Sequence, residues 1–192
     1  MRFPGATHLV ILIDSHARHD WLLEAVRKRL WEEMAKLRVE INKEKSRIVH
    51  MAKGESFSFL GFEYRRILSR NGKWRPQYTP KLKKRTALLA KLKEIFQQNV
   101  SQPVVKVIEA INPILRGWVN YFAIGHSSRC FSFIKNWVEK KIRRHLMRAR
   151  QRSGFGWKRW RGEWLYEKLG LYNDYQLRRQ DVIYSRPVES VP

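Results

Sequence analysis

The sequence predicts an α+β protein in which a small α/β part is followed by a mainly α-helical bundle. Three observations predict this class. Apolar residues form a continuous run at residues 9–13 and alternate with polar ones at residues 39–41, as in strands. From residue 80 onward, apolar residues recur at helical spacing instead. Polar residues with turn signals separate the two patterns at residues 67–79.

The first part contains one predicted helix among several predicted strands. Residues 9–13 read Leu-Val-Ile-Leu-Ile, which predicts a buried central strand. Apolar side chains within residues 18–37 recur at spacings of four, four, four and three, and this pattern predicts an amphipathic helix. We expect further strands at residues 39–41 and 48–49, and a hairpin at residues 57–62 that is bent at its glycine.

The connecting residues 67–79 predict a domain boundary or a long hairpin. Asn71 and Gly72 form a dipeptide typical of tight turns, and prolines limit regular structure on either side of residue 78. Helices are expected after this segment. Their predicted ranges are 80–97, 103–111, 113–123 and 128–152, with a short one at 164–168.

Prolines and serines predict where these helices start. Pro80, Pro103 and Pro113 each occupy a position suited to the first helical residue, with Asn112 as the N-cap of the third helix. Ser127 or Ser128 is the predicted cap of the longest helix. The apolar faces expected in the core are those of Ile114, Leu115, Trp118, Tyr121 and Phe122, and of Phe131, Ile134, Trp137, Val138, Ile142 and Leu146.

The charge of the chain predicts a polyanionic partner. Its 192 residues carry 40 Lys and Arg against 17 Asp and Glu, a formal net charge of +23. The excess is uneven, since residues 1–66 have a net charge of +4 and residues 67–192 a net charge of +19. Such self-repulsion is relieved by a polyanion, so a nucleic acid is the expected partner, bound mainly by the second part.

Composition also excludes several classes of protein. The single cysteine, Cys130, cannot form an internal disulfide, and no Cys or His cluster predicts a metal site. No stretch reaches the roughly 18 consecutive apolar residues of a membrane span, so we expect no membrane partner and a cytoplasmic location. Eight tryptophans provide too much apolar surface for a disordered basic tail.

Basic and aromatic side chains of the second part are the candidate RNA contacts. Lys and Arg bind phosphates, whereas exposed aromatic rings stack on unpaired bases. For Trp157 and Trp160, burial in the helical bundle is the alternative to such exposure. The candidate RNA contacts are Lys81, Lys83, Lys84, Arg85, Arg116, Arg129, Lys140, Lys141, Arg143, Arg144, Arg148, Trp157, Lys158, Arg159 and Trp160. No residue of the chain is predicted to be catalytic.

Three motifs in order resemble the C-terminal half of a group II intron reverse transcriptase/maturase. Residues 39–46 begin Val-Glu-Ile-Asn and end Lys-Ser, residues 59–62 read Phe-Leu-Gly-Phe, and residues 113–122 read Pro-Ile-Leu-Arg-Gly-Trp-Val-Asn-Tyr-Phe. The last motif is the specific one. The resemblance implies a remnant of a palm domain at residues 1–66, a connector or hairpin at 67–79, a helical thumb or maturase domain at 80–175 and a flexible tail at 176–192.

The resemblance also indicates what is missing. The family has a Tyr-Ala-Asp-Asp box before the apolar strand, and its aspartates hold catalytic Mg²⁺. Residues 5–8 of this chain read Gly-Ala-Thr-His, and the chain begins too late for the fingers and the first palm strand. Two-metal phosphoryl transfer requires such carboxylates. We therefore expect no polymerase activity from this chain alone, and no cofactor unless another chain supplies the aspartates.

Two further assignments follow from the resemblance. Lys45 matches a lysine that lies near the incoming nucleotide in the family, although a structural role stays open. Phe59, Leu60 and Gly61 match the hairpin that grips a primer strand, with simple core packing as the alternative.

The sequence as a whole predicts an RNA-binding maturase-type protein that assists group II intron folding and splicing. Its partner would be structured RNA, above all intron RNA. One alternative is the C-terminal piece of a split RNA-directed DNA polymerase, completed by a fingers/palm polypeptide. The other is a truncated remnant without function.

Overall fold

The computed structural model describes residues 8–14 and 16–178, and the chain divides into two compact units, Met1–Gln77 and Tyr78–Pro192. Helices and a small antiparallel sheet confirm the predicted α+β class. The elements are α1 (Asp20–Lys36), β1 (Phe57–Phe59), β2 (Phe62–Leu68), β3 (Trp74–Pro80), α2 (Leu82–Gln98), α3 (Val104–Phe122), α4 (Ser128–Arg148) and α5 (Gly162–Glu167). Short 3₁₀ helices occur at Ala17–His19 and Met51–Lys53.

The helix expected in the first unit forms, but its apolar face is only partly covered, and Leu22, Val26, Leu30 and Met34 are half-buried. None of the residues of α1, all of which are described, is buried. Its surface carries the ion pairs Arg29 to Glu33 at 2.9 Å and Lys36 to Glu33 at 3.0 Å. Exposed pairs of this kind contribute about 0–1 kcal/mol each. Local sequence therefore forms this helix, and its apolar stripe is only partly covered.

The strands predicted at residues 9–13, 39–41 and 48–49 are wrong, because these residues are irregular in the structure. Leu12 is 78% exposed, so the run at 9–13 is not a buried strand either. A strand is stable only when a neighbouring strand satisfies its backbone groups. The sheet of the described residues consists of β1, β2 and β3 and offers these segments no such neighbour.

Two consecutive hairpins form the sheet. Strands β1 and β2 pair antiparallel with Phe57 opposite Tyr64 and Phe59 opposite Phe62, and the bend at Gly61 is confirmed. Leu60 and Gly61 have φ values of 45° and 79°, the positive pair that a two-residue type I′ turn requires. The second turn joins β2 to β3 and includes the predicted Asn-Gly dipeptide.

Helices α2, α3 and α4 pack against one another and form the core of the second unit. The buried residues follow helical spacing on each helix, as predicted for the second half of α3 and for α4. They are Leu88, Leu92 and Phe96 of α2, Val107, Ile108, Ile111, Leu115, Val119 and Phe122 of α3, and Phe131, Ile134, Val138 and Ile142 of α4. Tyr121, expected in the core, is exposed, while Trp118, Trp137 and Leu146 are half-buried.

The two helices predicted on either side of residue 112 are a single helix, α3. Pro113 lies inside it and is exposed, so its ring is accommodated on the solvent side. Asn112 is not an N-cap. Its amide nitrogen donates to the carbonyl of Gly170 at 2.8 Å, and its amide oxygen accepts from the N–H of Tyr172 at 2.9 Å. Asn112 therefore fastens the C-terminal segment to the bundle.

Helix α4 starts where the serines predict and ends before the expected residue 152. Ser127 occupies the N-cap position, but its hydroxyl donates to the carbonyl of Phe122 at 2.7 Å and so binds the end of α3. The helix ends at Arg148, and Gln151 then adopts a positive φ of 56°.

The chain after α4 returns to the bundle. Trp160, Leu165 and Leu171 are buried, and the short helix expected near residue 164 is present as α5. Arg178 donates from its backbone to Ala123 at 3.0 Å and from its side chain to Asn120 at 3.1 Å. The predicted flexible tail is thus hydrogen-bonded at its described end, and its residues 179–192 lie outside the described residues.

Candidate nucleic-acid interface

A groove of about 480 Å³ lies on the surface of the second unit. Its walls are the C-terminal part of α2, the C-terminal half of α4 and the loop that follows α4. This basic groove is lined by Lys93, Phe96, Gln97, Val100, Lys141, Arg144, His145, Arg148, Arg152, Ser153 and Gly154.

Five cations and no carboxylate line the basic groove. They are Lys93, Lys141, Arg144, Arg148 and Arg152. Burial, followed by the nearby charges of Arg144 and Lys93, lowers the pKa of Lys141 below its ordinary value. Like charges held together in this way cost free energy in the free protein. A bound phosphate relieves that repulsion, so the groove is suited to a polyanion.

Helical spacing and an apolar wall position these cations. Lys141, Arg144 and Arg148 are three and four residues apart and therefore share one face of α4. The ammonium of Lys141 lies 5.1 Å from the ring centroid of Trp137, whose ring in turn contacts that of Phe96 at 6.4 Å. The Lys141 ammonium therefore lies against an aromatic cluster at the groove.

His145 ties α4 to the turn between α2 and α3. Its Nε2 lies 2.9 Å from the carbonyl oxygen of Gln102, and because a carbonyl can only accept, Nε2 carries the proton. The side chain is buried and its role is structural. This bond fixes the separation of the two walls of the groove.

The side chains of the groove are suited to binding phosphate. Within residues 8–14 and 16–178, no three His, Cys, Asp or Glu side chains come together as a metal site would require. Lys and Arg side chains on a concave surface bind phosphate oxygens through charge-assisted hydrogen bonds. Such contacts position an RNA backbone and carry little information about its sequence.

The sequence suggested Arg143 as a phosphate contact, but this prediction is wrong because the residue is only 2% exposed. Its guanidinium pairs with Glu139 at 2.8 Å and donates from Nε to the carbonyl of Trp160 at 2.9 Å. Glu139 also accepts from the hydroxyl of Tyr166. Burial and this hydrogen bond raise the pKa of Tyr166, so the phenol stays neutral. The network attaches the loop after α4 to that helix.

The two tryptophans proposed for base stacking differ in the structure. Trp160 is only 4% exposed and belongs to the core, so the expectation of a stacking surface is wrong there. Trp157 is 46% exposed. Lys158 and Arg159, between them, are exposed as expected.

The remaining predicted cations lie outside the basic groove. Lys83 and Lys84 are exposed at the start of α2, Lys81 is half-buried before it, and Arg85 lies 4.4 Å from the ring centroid of Phe133. Arg116, Arg129 and Lys140 are exposed on α3 and α4. The structure therefore brings together only Lys141, Arg144 and Arg148 of the predicted set.

Sequence reasoning missed Lys93 and Arg152 as members of the groove. A signal for Lys93 was available, since it lies one residue after Leu92 of the buried stripe of α2 and therefore beside the packed face. Arg152 is placed by the loop after α4, and no periodic pattern predicts the path of such a loop.

The predicted residues of the first unit are also placed. Lys45 is exposed, and its backbone N–H donates to the side chain of Asn42 at 3.1 Å. Phe59 is half-buried at the end of β1, Leu60 projects from the turn, and Gly61 supplies the positive φ. These positions are compatible with either of the roles considered for them.

One family model matches the part of the chain that contains the groove. Residues 85–164 match the model of the group II intron, maturase-specific domain, and all lining residues of the basic groove fall within this range. The match supports a maturase-type protein with a role in group II intron splicing. No curated protein matches the chain. Among the described helices, none has the length and apolar character needed to cross a membrane.

Proposed function

We propose that this chain binds structured group II intron RNA in its basic groove and assists the folding and splicing of that RNA, without polymerase chemistry of its own. The observation that carries the proposal is the cluster of five cations inside the matched maturase-specific domain. The RNA is the catalyst in this account, and the protein stabilises its active fold.

The charge distribution supports an RNA partner. Residues 78–178 contain 22 Lys and Arg but only six Asp and Glu. Each phosphate bound by a cation releases counterions, so that affinity falls with salt by a slope of about 0.7–0.9 per contact. Five clustered cations are therefore expected to dominate the salt dependence of binding.

The test compares binding of the purified protein to a group II intron RNA and to an unrelated structured RNA of equal length, across a salt series. A groove variant replaces Lys93, Lys141, Arg144 and Arg148 by Gln. Its matched control replaces four exposed cations of the first unit by Gln, which removes the same charge. The control positions are Lys28, Lys53, Arg70 and Lys73.

We expect the wild-type protein to prefer the intron RNA at all salt concentrations and to promote its splicing. The groove variant should lose both properties and reduce the salt slope by about 3, from the contribution per contact. The control variant should retain the preference. Equal binding of both RNAs, lost together as salt rises, would show only a polycation and would contradict the proposal.

A second candidate function is favoured by the exposed apolar surface of the first unit. Residues 9–12 are exposed and the stripe of α1 is only half-buried, and exposed apolar surfaces of this kind mark interaction sites. In this alternative, the chain is the C-terminal piece of an RNA-directed DNA polymerase. A separate fingers/palm polypeptide would cover the stripe and supply the aspartates for Mg²⁺.

Primer extension separates the two functions. The chain is mixed with the fingers/palm fragment of a group II intron reverse transcriptase in the presence of Mg²⁺. DNA synthesis that requires both pieces would favour the split polymerase. If neither DNA synthesis nor a preference for intron RNA is observed, the results would support the hypothesis that the chain is a non-functional remnant.

A further inference from the structure

Trp157 is held rigidly although it lies on the surface. Its side chain is 46% exposed, and the guanidinium of Arg143 lies 4.2 Å from its ring centroid. Arg143 cannot move easily, because it is paired with Glu139 at 2.8 Å and donates to the carbonyl of Trp160 at 2.9 Å. The indole is therefore supported from the protein side by a fixed planar cation.

The loop that carries Trp157 is shaped by two glycines. Gly154 and Gly156 have φ values of 90° and 62°, which favour glycine. A Cβ at Gly156 would lie 2.5 Å from the ring of Trp160, so the backbone is packed directly on that buried ring. The N–H groups of Arg159 and Trp160 both donate to the Gly156 carbonyl, at 3.0 and 2.9 Å. This turn presents Trp157 in one orientation before any ligand binds.

The same loop borders the basic groove. Ser153 and Gly154 line the groove, and Phe155 follows them directly. The guanidinium of Arg144, a groove cation, lies 5.5 Å from the ring centroid of Phe155, and that ring lies 5.9 Å from the ring of Trp157. Trp157 is therefore within reach of a strand whose phosphates are bound by the groove.

We propose that Trp157 is a stacking platform for one unpaired base of the RNA held in the basic groove. The proposal rests on the proposed function and deepens it by naming the feature recognised, a bulged or looped nucleotide. Bases within an A-form helix do not expose their faces, whereas unpaired bases stack on aromatic rings irrespective of their identity. The groove supplies affinity, and Trp157 selects RNA with an unpaired base at this position.

The test uses two RNA hairpins that differ only by one unpaired 2-aminopurine in the stem. Both are titrated with the wild-type protein, Trp157→Ala, Trp157→Leu and a matched control, Trp74→Ala. Trp74 is also exposed and lies 5.3 Å from the guanidinium of Arg66, but it belongs to the first unit. Circular dichroism checks that each variant is folded.

We expect wild-type protein to favour the bulged hairpin and to change its 2-aminopurine fluorescence on binding. Trp157→Ala and Trp157→Leu should weaken binding of the bulged hairpin about 5- to 150-fold, the range that loss of one stacked base gives. The unbulged hairpin, the salt slope and the Trp74→Ala protein should be unaffected. If Trp157→Ala is unfolded, Trp157→Leu and the wild-type fluorescence decide the matter.

The proposal is overturned if the wild-type protein binds both hairpins equally, or if the Trp157 variants weaken both to the same degree. The groove function would still stand in that case, provided that binding falls with salt and that Arg148→Gln reduces the slope. A protein whose binding to either hairpin does not depend on the groove cations would instead contradict the proposed function itself.

Discussion

The ion pair between Glu139 and Arg143 provides a strong test of how the second unit is stabilised. The side chains are 12% and 3% exposed, and their N–O distance is 2.8 Å. Glu139→Gln keeps the shape of the side chain but leaves the buried guanidinium without a counter-charge. Removing one partner of a buried pair costs about 3–5 kcal/mol, and we expect the lower end because the glutamine oxygen can still accept a hydrogen bond.

The first unit contains a matched control for this substitution. Arg29 and Glu33 have the same spacing of four residues and a distance of 2.9 Å, but their side chains are 70% and 41% exposed. Glu33→Gln should cost about 0–1 kcal/mol, since solvent screens an exposed pair. Burial is thus the main difference between the two pairs.

Urea unfolding followed by circular dichroism measures both free-energy changes, and amide exchange of residues 155–166 locates the effect. Glu139→Gln should accelerate exchange in this loop, which Arg143 attaches to α4 through the carbonyl of Trp160. The combination of Glu139→Gln with Arg143→Met should cost less than the sum of the two single changes, by about 0.5–3 kcal/mol. If Glu139→Gln destabilises no more than Glu33→Gln, the reasoning from burial is refuted.

Three further predictions concern backbone geometry, one hydrogen-bonding side chain and pH. Gly117→Ala should stabilise α3 by about 0.5–1 kcal/mol, because a Cβ there meets nothing within 4 Å. Gly156→Ala should destabilise the protein, because a Cβ there would lie 2.5 Å from the ring of Trp160. Thermal unfolding measures both changes. Asn112→Ala should cost about 1–2 kcal/mol and accelerate amide exchange of Tyr172, whose N–H it leaves without its acceptor. The pKa of Tyr166 is raised by burial, so the unfolded chain loses this proton first. Stability should therefore be complete below about pH 10 and fall above it, and Tyr166→Phe should reduce that slope in urea titrations.

Local sequence predicted the elements whose stabilising contacts are close in the chain. The β1–β2 hairpin follows from Gly61, which supplies a positive φ at a two-residue turn. The long helices of the second unit follow from apolar periodicity, although two predicted helices join as α3. The predicted faces of α3 and α4 contain most of the buried residues of those segments, with Tyr121 as an exposed exception. In each case, the information required lies within one turn or one helix.

Features that depend on distant parts of the chain were not predicted. The apolar run at residues 9–13 has the composition of a strand, but pairing requires a neighbour that the run itself cannot specify. Pro113 has the features of a helix start, yet α3 continues through it because the ring faces solvent. Asn112 suits a cap and instead binds residues 170 and 172, far along the sequence.

In the candidate site, too, the sequence predicts the overall charge but not the position of each cation. Net charge directs attention to the second part, but it does not separate a buried Arg143 from the exposed Arg144 beside it. The difference arises because Glu139, one helical turn earlier, neutralises Arg143, while Arg144 faces a groove without any acid. The buried cation then supports Trp157, and the exposed one contacts Phe155. Substituting Arg143 should therefore disturb RNA binding through the loop geometry, whereas substituting Arg144 should disturb it through charge and change the salt slope.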